Sequence, residues 1–127
     1  MIKNKLISSV EFKGYVCPQS YLLSSKILIL NSFFEGMPNI LQEALAHKIP
    51  IISTDCESGP TEILENGKYG TLTEVDNYNL LAEKIIQTLN NYEDALKKAE
   101  EGFKSLERFK VTNQLKKIED YVTIFKS

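Results

Sequence analysis

The sequence predicts an α/β fold, a Rossmann-like parallel sheet of about four short strands with flanking helices. Two observations carry that expectation. Wholly apolar or nearly apolar runs recur at Ile27-Leu28-Ile29-Leu30 and, behind Pro50, at Ile51-Ile52-Ser53-Thr54. Runs of this kind, without alternation, mark strands buried on both faces. Each is followed by a turn-rich loop and then by a segment with helical period, and strands alternating with helices build a parallel sheet.

The elements follow in chain order. Val10 and Phe12 alternate with charged residues and lead to Gly14, the pattern of a short strand ending in a turn. Pro18 suits the first turn of a helix reaching about Ser25. After the strand at Ile27 to Leu30 comes a loop from Ser32 to Met37, with Pro38 at a helix start. Ile40, Leu41, Ala44 and Leu45 form the inner stripe of that helix. Beyond the strand at Ile51 to Thr54, Gly59 is placed to cap a helix, Pro60 to open it and Glu62 to close a capping box. Asn66-Gly67 stops this helix, and Gly70-Thr71-Leu72-Thr73 is a last brief strand. The remainder is helical, with stripes at Leu81, Ile85 and Leu89, at Leu96, Ala99, Phe103 and Leu106, and at Leu115, Ile118, Val122 and Phe125.

The totals bound the function. A chain of 127 residues is long enough for one domain with a core and too short for two. Its 15 Lys and Arg against 17 Asp and Glu leave no basic excess to neutralise phosphates, which argues against nonspecific nucleic-acid binding. Cys17 and Cys56 stand far apart with a single histidine, so a zinc site is not expected, and free thiols in a reducing cytoplasm are. The opening MIKNKLISSVEF lacks the apolar core of a signal peptide, and no apolar run approaches the length of a membrane span.

Chemistry concentrates in residues 32 to 54, SFFEGMPNILQEALAHKIPIIST. Open α/β sheets bind ligands in the crevice at the carboxyl ends of their strands. A loop leaving such an end and entering a helix presents free N–H groups, here those of residues 36 to 40, and the helix dipole adds to their pull on a phosphate. Gly36 removes a side chain where a ligand must approach, and Pro38 pre-sets the helical turn. Glu35 and Glu43 need other partners, because a carboxylate only accepts hydrogen bonds and hydroxyls are its natural donors. A nucleotide sugar meets both demands, with its pyrophosphate over the helix start and its ribose and hexose hydroxyls at the two glutamates.

This stretch resembles the donor site of glycosyltransferase family 4, retaining enzymes of the GT-B architecture that carry a Glu-x7-Glu motif. Glu35 and Glu43 have that spacing. The flanks are similar as well: the apolar strand and Ser32 before the motif, Glu35-Gly36-Met37-Pro38, Glu43-Ala44-Leu45-Ala46, the run Pro50 to Thr54, and Ser58-Gly59-Pro60-Thr61-Glu62 onward to Gly70. The similarity runs from about Phe12 to Leu89. It implies that Glu35 is catalytic and contacts the transferred sugar, that Glu43 holds the ribose, and that Gly36, Met37, Pro38, Asn39, Ile40 and Leu41 hold the diphosphate. It implies no metal in the site and no cofactor.

The implied reaction moves a hexose or its N-acetyl derivative, with retention, from a nucleotide-diphosphate donor to a glycan or lipid-linked acceptor, as in polysaccharide biosynthesis. Full enzymes of the family have two Rossmann-like domains. Residues 1–127 correspond to the later part of the second, one partial nucleotide-sugar-binding domain without the family's basic clamp, expected to be inactive alone. With the strand order 3-2-1-4-5-6, Val10 to Gly14 and Ile27 to Leu30 both lose their neighbours; either the first segment pairs directly with Ile27 to Leu30, or the open sheet edge invites a second copy of the chain. The alternative is a noncatalytic binding or assembly module that keeps the fold. Plainer readings exist for single residues: Glu35 as a partner of the helix dipole, Glu43 as an exposed helix glutamate, Glu62 as a cap, and His47 as a dipole contact. Asp55, at a strand end, lacks the acidic and lysine companions that a phosphoacceptor site requires.

Overall fold

Ile51, Ile52, Ser53 and Thr54 form the middle strand of the sheet, and all four are buried. A computed structural model describes residues 8–36, 38–57 and 59–126. In chain order they form α1 (Gln19–Leu22), β1 (Leu28–Leu30), α2 (Asn39–Ala46), β2 (Ile51–Thr54), α3 (Gly59–Ile63), β3 (Thr71–Thr73), α4 (Tyr78–Asn90), α5 (Tyr92–Ser105), a 3-10 turn (Leu106–Phe109) and α6 (Val111–Lys126). The sheet has the order β1-β2-β3 and is parallel throughout.

Register decides which side chains meet the core. Leu28 stands opposite Ile51, and Leu30 opposite Ser53, which in turn faces Leu72. On that face Leu28, Leu30, Ile51 and Leu72 pack with Leu22, Leu41, Leu45, Ile63, Leu64 and Tyr69. Ile29 looks to the other side at the outer edge of the sheet and is 40% exposed.

The helices reach the core through small or apolar stripes. Leu41, Ala44 and Leu45 of α2 are wholly buried, the three- and four-residue spacing of one helix face. The helix ends in a Schellman turn: Lys48 takes a left-handed φ of 57°, Ile49 N–H donates to the Ala44 carbonyl at 2.9 Å, and Lys48 N–H donates to that of Leu45 at 2.9 Å. Helix α5 meets α2 at Ala99 and Gly102, both buried. A Cβ on Gly102 would lie 2.6 Å from Leu45 Cδ2 and 3.0 Å from Tyr69 Cβ, so the helix backbone itself packs against these side chains. After α3, Glu65, Asn66 and Gly67 have φ of 47°, 56° and 93°, and this left-handed run returns the chain to β3. Arg108 secures the turn by donating to the Ile63 carbonyl, lying 3.5 Å from the Glu65 carboxylate and stacking on the rings of Tyr69 and Phe109.

Two expectations change. Val10 to Gly14 is no strand, so the sheet has three strands in place of about four. Val10 is 52% and Phe12 91% exposed; an extended segment becomes a strand only by pairing, and among the described residues this one pairs with no strand. The helix after Pro18 stops at Leu22. Beyond it the hydroxyls of Ser24 and Ser25 donate to the Tyr21 carbonyl at 3.1 and 2.7 Å, the local bonding by which serine competes with helix continuation. The stripe of α6 faces outward, with Leu115 52%, Ile118 58% and Val122 42% exposed; the side chain of Phe125 lies outside the described residues.

Close packing also joins α3 to the loop before α2. A Cβ on Gly59 would sit 2.2 Å from the Gly36 carbonyl oxygen and 2.4 Å from Pro38 Cδ. Gly59→Ala is therefore expected to lower stability by about 1–3 kcal/mol in denaturant unfolding. Gly36→Ala, whose Cβ would meet nothing within 4 Å, is expected to stay within about 0.5 kcal/mol of the parent.

Candidate functional site

The site begins where β1 and β2 stop pairing as strands. Thr54, the last residue of β2, is 2% exposed. Its Oγ1 accepts from Ser32 N–H at 3.0 Å and donates to the Ser32 carbonyl at 2.6 Å. One hydroxyl thus does for Ser32 what a neighbouring strand's backbone would do, and it carries the β1–β2 association past the end of β1. Ser32 Oγ in turn donates to Glu35 Oε1 at 2.8 Å. Further out, Phe34 and Glu57 form an isolated parallel bridge, so the two loops remain side by side.

Between these loops lies an open hollow of about 580 Å³ lined by Phe34, Glu35, Gly36 and Glu57. Glu35 is half-buried, and Gly36 is exposed. Pro38 is buried and extended at φ −72° and ψ 99°, immediately before α2. Asn39 and Ile40 are the first residues of α2, and the first N–H groups of a helix have no acceptor within it. The Leu41 amide is already committed, donating to the Pro38 carbonyl at 3.0 Å, and its side chain is fully buried. Met37 lies outside the described residues.

Glu43 is half-buried four residues beyond Asn39 on α2, and it does not line the hollow with Glu35. His47 is exposed beyond the end of α2, with its N–H directed to the carbonyls of Glu43 and Ala44 at 3.2 Å each. Glu62 belongs to a neighbouring hollow of about 570 Å³, together with Asp55, Cys56, Glu57, Thr61, Glu65, Asn66 and Arg108. Asp55 accepts from the Thr61 hydroxyl there and donates its N–H to the Thr73 carbonyl at 2.7 Å, so it is used in joining β2, α3 and β3. Cys17 and Cys56 are unpaired thiols, the first exposed and the second buried. Among the described residues no group of three or more His, Cys, Asp or Glu is arranged to hold a metal, and no helix is long and apolar enough to cross a membrane.

One residue of this arrangement, Glu57, escapes a reading of motifs alone; Ser32 and Thr54 stand in the flanks of the motif, but their spacing does not announce that they hold Glu35 in place. The available signal was position. Glu57 follows β2 by three residues, in the zone past a strand's carboxyl end where ligands collect.

Known sequences and structures identify the family and the fold. The family described as glycosyl transferases group 1 matches residues 1–105. The chain belongs to that family. It is 38% identical over 93 residues to the poly(ribitol-phosphate) alpha-N-acetylglucosaminyltransferase of Staphylococcus aureus (strain COL), a match covering 72% of this chain and 19% of that enzyme. Among solved structures, a variant of S. aureus TarM in complex with fondaparinux, alpha-GlcNAc-glycerol and UDP superposes with a TM-score of 0.76 at 30% identity, covering 99% of this chain and 26% of that one. The C-terminal domain of a glycosyl transferase group 1 protein, LpcC of Francisella tularensis, gives a TM-score of 0.69 at 22% identity over 87% of this chain and 63% of that domain, a likeness of fold. The α/β fold is thus that of a GT-B glycosyltransferase domain, and the chain spans about a fifth of the length of the staphylococcal enzyme.

Thr54→Val keeps the shape of the side chain and removes the hydroxyl that serves both backbone groups of Ser32. The expected outcome is a loss of about 1–3 kcal/mol, with faster amide exchange at Ser32. Thr54→Ser retains the hydroxyl and is expected to keep that amide protected. Native-state hydrogen exchange on the three proteins checks this.

Proposed function

We propose that the chain is the donor-binding part of a retaining glycosyltransferase of family 4. In this reading it serves the transfer of a hexose or an N-acetylhexosamine from a nucleotide-diphosphate sugar to a glycan or lipid-linked acceptor. The observation that carries the reading is Glu35, held by Ser32 and Thr54 at the carboxyl end of β1 and set beside the start of α2. Glu35 takes the transferred sugar next to the reacting centre, and Glu43 takes the ribose. The diphosphate lies over the backbone of Gly36, Met37, Pro38, Asn39, Ile40 and Leu41, where the helix start stabilises the charge that grows on the leaving group. The Leu41 amide, committed to Pro38, adds least to that cradle.

Support for the donor class comes from the TarM variant in complex with UDP. Support for retention comes from the alpha linkage in the name of the staphylococcal relative: common nucleotide hexose donors carry the sugar α-linked, so an α-linked product keeps the configuration. Relatives named for transfer to poly(ribitol-phosphate) and to a diphospho-undecaprenol-linked sugar support a place in polysaccharide biosynthesis. The unpaired thiols suit a reducing, cytoplasmic compartment.

The chain by itself is expected to bind donors weakly and to transfer nothing. The helix start is present, but no cation lines the hollow with Glu35 among the described residues, and charge-assisted contacts are the strong ones. Aligning donor with acceptor accounts for about 7–11 kcal/mol of such a barrier, and one side of a cleft does not provide it. Titration of labelled protein with UDP and GDP is expected to shift the amides of Gly36 and Asn39 to Glu43 with a Kd above about 1 µM. A site elsewhere on the surface would sink the donor reading and leave the noncatalytic module. Labelled-sugar transfer by the purified chain, abolished in Glu35→Ala, would overturn the expected inactivity.

Self-association belongs to the same reading. Among the described residues the outer edge of β1 carries no strand, and a second copy adding its own edge would cover it. Sedimentation is expected to show an average mass that rises with concentration, and a mass fixed at 14.4 kDa over a wide range would refute the association.

A further inference from the structure

We propose that Glu57 is a sugar-recognising residue which, with Glu35 and Phe34, restricts the transferred group to sugars that carry no negative charge. The inference rests on the donor reading of the hollow and adds a residue and a selectivity to it.

Three observations place Glu57 there. Its backbone forms the parallel bridge with Phe34, which holds residue 57 level with the loop that carries Glu35. Glu57 lines the same hollow as Phe34, Glu35 and Gly36 and is exposed there. Two residues later, Gly59 seats the start of α3 against the Gly36 carbonyl, so the segment carrying Glu57 is backed by close-packed backbone. The hollow therefore brings together two carboxylates and the ring of Phe34, which is 83% exposed.

That combination suits one class of ligand. Carboxylates accept from hydroxyl and amide N–H donors, and an exposed ring offers an apolar surface to the C–H face of a pyranose. A diphosphate gains nothing here, since two carboxylates repel it. It is drawn instead to the start of α2. The anionic part of the donor and its sugar thus separate along the site, and the hollow receives the sugar. A uronic acid would bring a third carboxylate into this space and be repelled, whereas a hexose or an N-acetylhexosamine meets acceptors for its hydroxyls. Glu57 is exposed, so its substitution tests recognition without disturbing the core.

The test is a set of affinities read by NMR on the intact chain. UDP and GDP alone establish which diphosphate binds at Gly36 to Leu41. The matching pair of sugars follows, UDP-glucose against UDP-glucuronate or GDP-mannose against GDP-mannuronate. The expected result is a preference of about five-fold or more for the neutral sugar, reduced to about two-fold in Glu57→Gln and reversed in Glu57→Lys. Taking each sugar relative to its uronate cancels the general effect of the charge change on diphosphate affinity. Diphosphate binding with a ratio near one in the parent, or with a ratio unchanged in both variants, would overturn the role of Glu57 and leave the donor site standing. Absence of any diphosphate shift at Gly36 to Leu41 would remove the donor reading and this inference together.

Discussion

The functional end of this domain hangs on the hydroxyl of one threonine. A parallel pair of strands must diverge where its loops begin, and at that point the backbone of the outgoing chain loses its partners. Thr54 postpones the divergence by presenting a donor and an acceptor to Ser32 from within the sheet. Ser32 then has a fixed backbone, and its own hydroxyl is aimed at Glu35. A valine of the same shape would fill the space and leave two backbone groups of Ser32 without this partner, which is why a hydroxyl stands at the buried end of β2.

Around that clamp the structure relies on the absence of side chains. Gly59 lets the start of α3 rest against Gly36 and Pro38, and Gly102 lets α5 rest on Leu45 and Tyr69. The first contact lies next to the hollow and the second on the far side of α2, so the helix that opens at the site is held from both ends. Its middle is anchored by Leu41, Ala44 and Leu45, which see no solvent. A helix fixed in this way keeps its first N–H groups in place, as the proposed donor site requires.

The sequence was most legible where burial dictates residue type. The apolar runs at Leu28 to Leu30 and Ile51 to Thr54, the stripe of α2 and the short strand at Thr71 to Thr73 are where the pattern puts them, while α3 ends at Ile63, three residues before Asn66-Gly67, which lies in the left-handed turn that follows. Val10 to Gly14 failed because alternation describes a strand only when a neighbour exists to pair with it. The stripe of α6 shows a helix correctly and says nothing of what covers it. At the site, Glu35 and Glu43 were visible through their spacing, yet they do not share the hollow. Ser32 stood in the flank of the motif without a role, and Glu57 was invisible, since residues in loops have no periodicity and acquire meaning only when β1 and β2 bring them level.

The family match ends at Ser105, and Arg108 stands three residues past it. That arginine nevertheless reaches back to the carbonyl that ends α3, to Glu65 and to the ring of Tyr69. The family match and the packing of this turn therefore end at different points along the polypeptide. Cutting at the end of the match would preserve every motif and still strip a guanidinium from the turn that feeds β3. For anyone trimming or grafting this domain, the seam belongs beyond Gln114, because Lys110 pairs with Glu107 and the side chains of Asn113 and Gln114 donate to the carbonyls of Glu107 and Arg108, tying the first turn of α6 to the segment that carries the arginine.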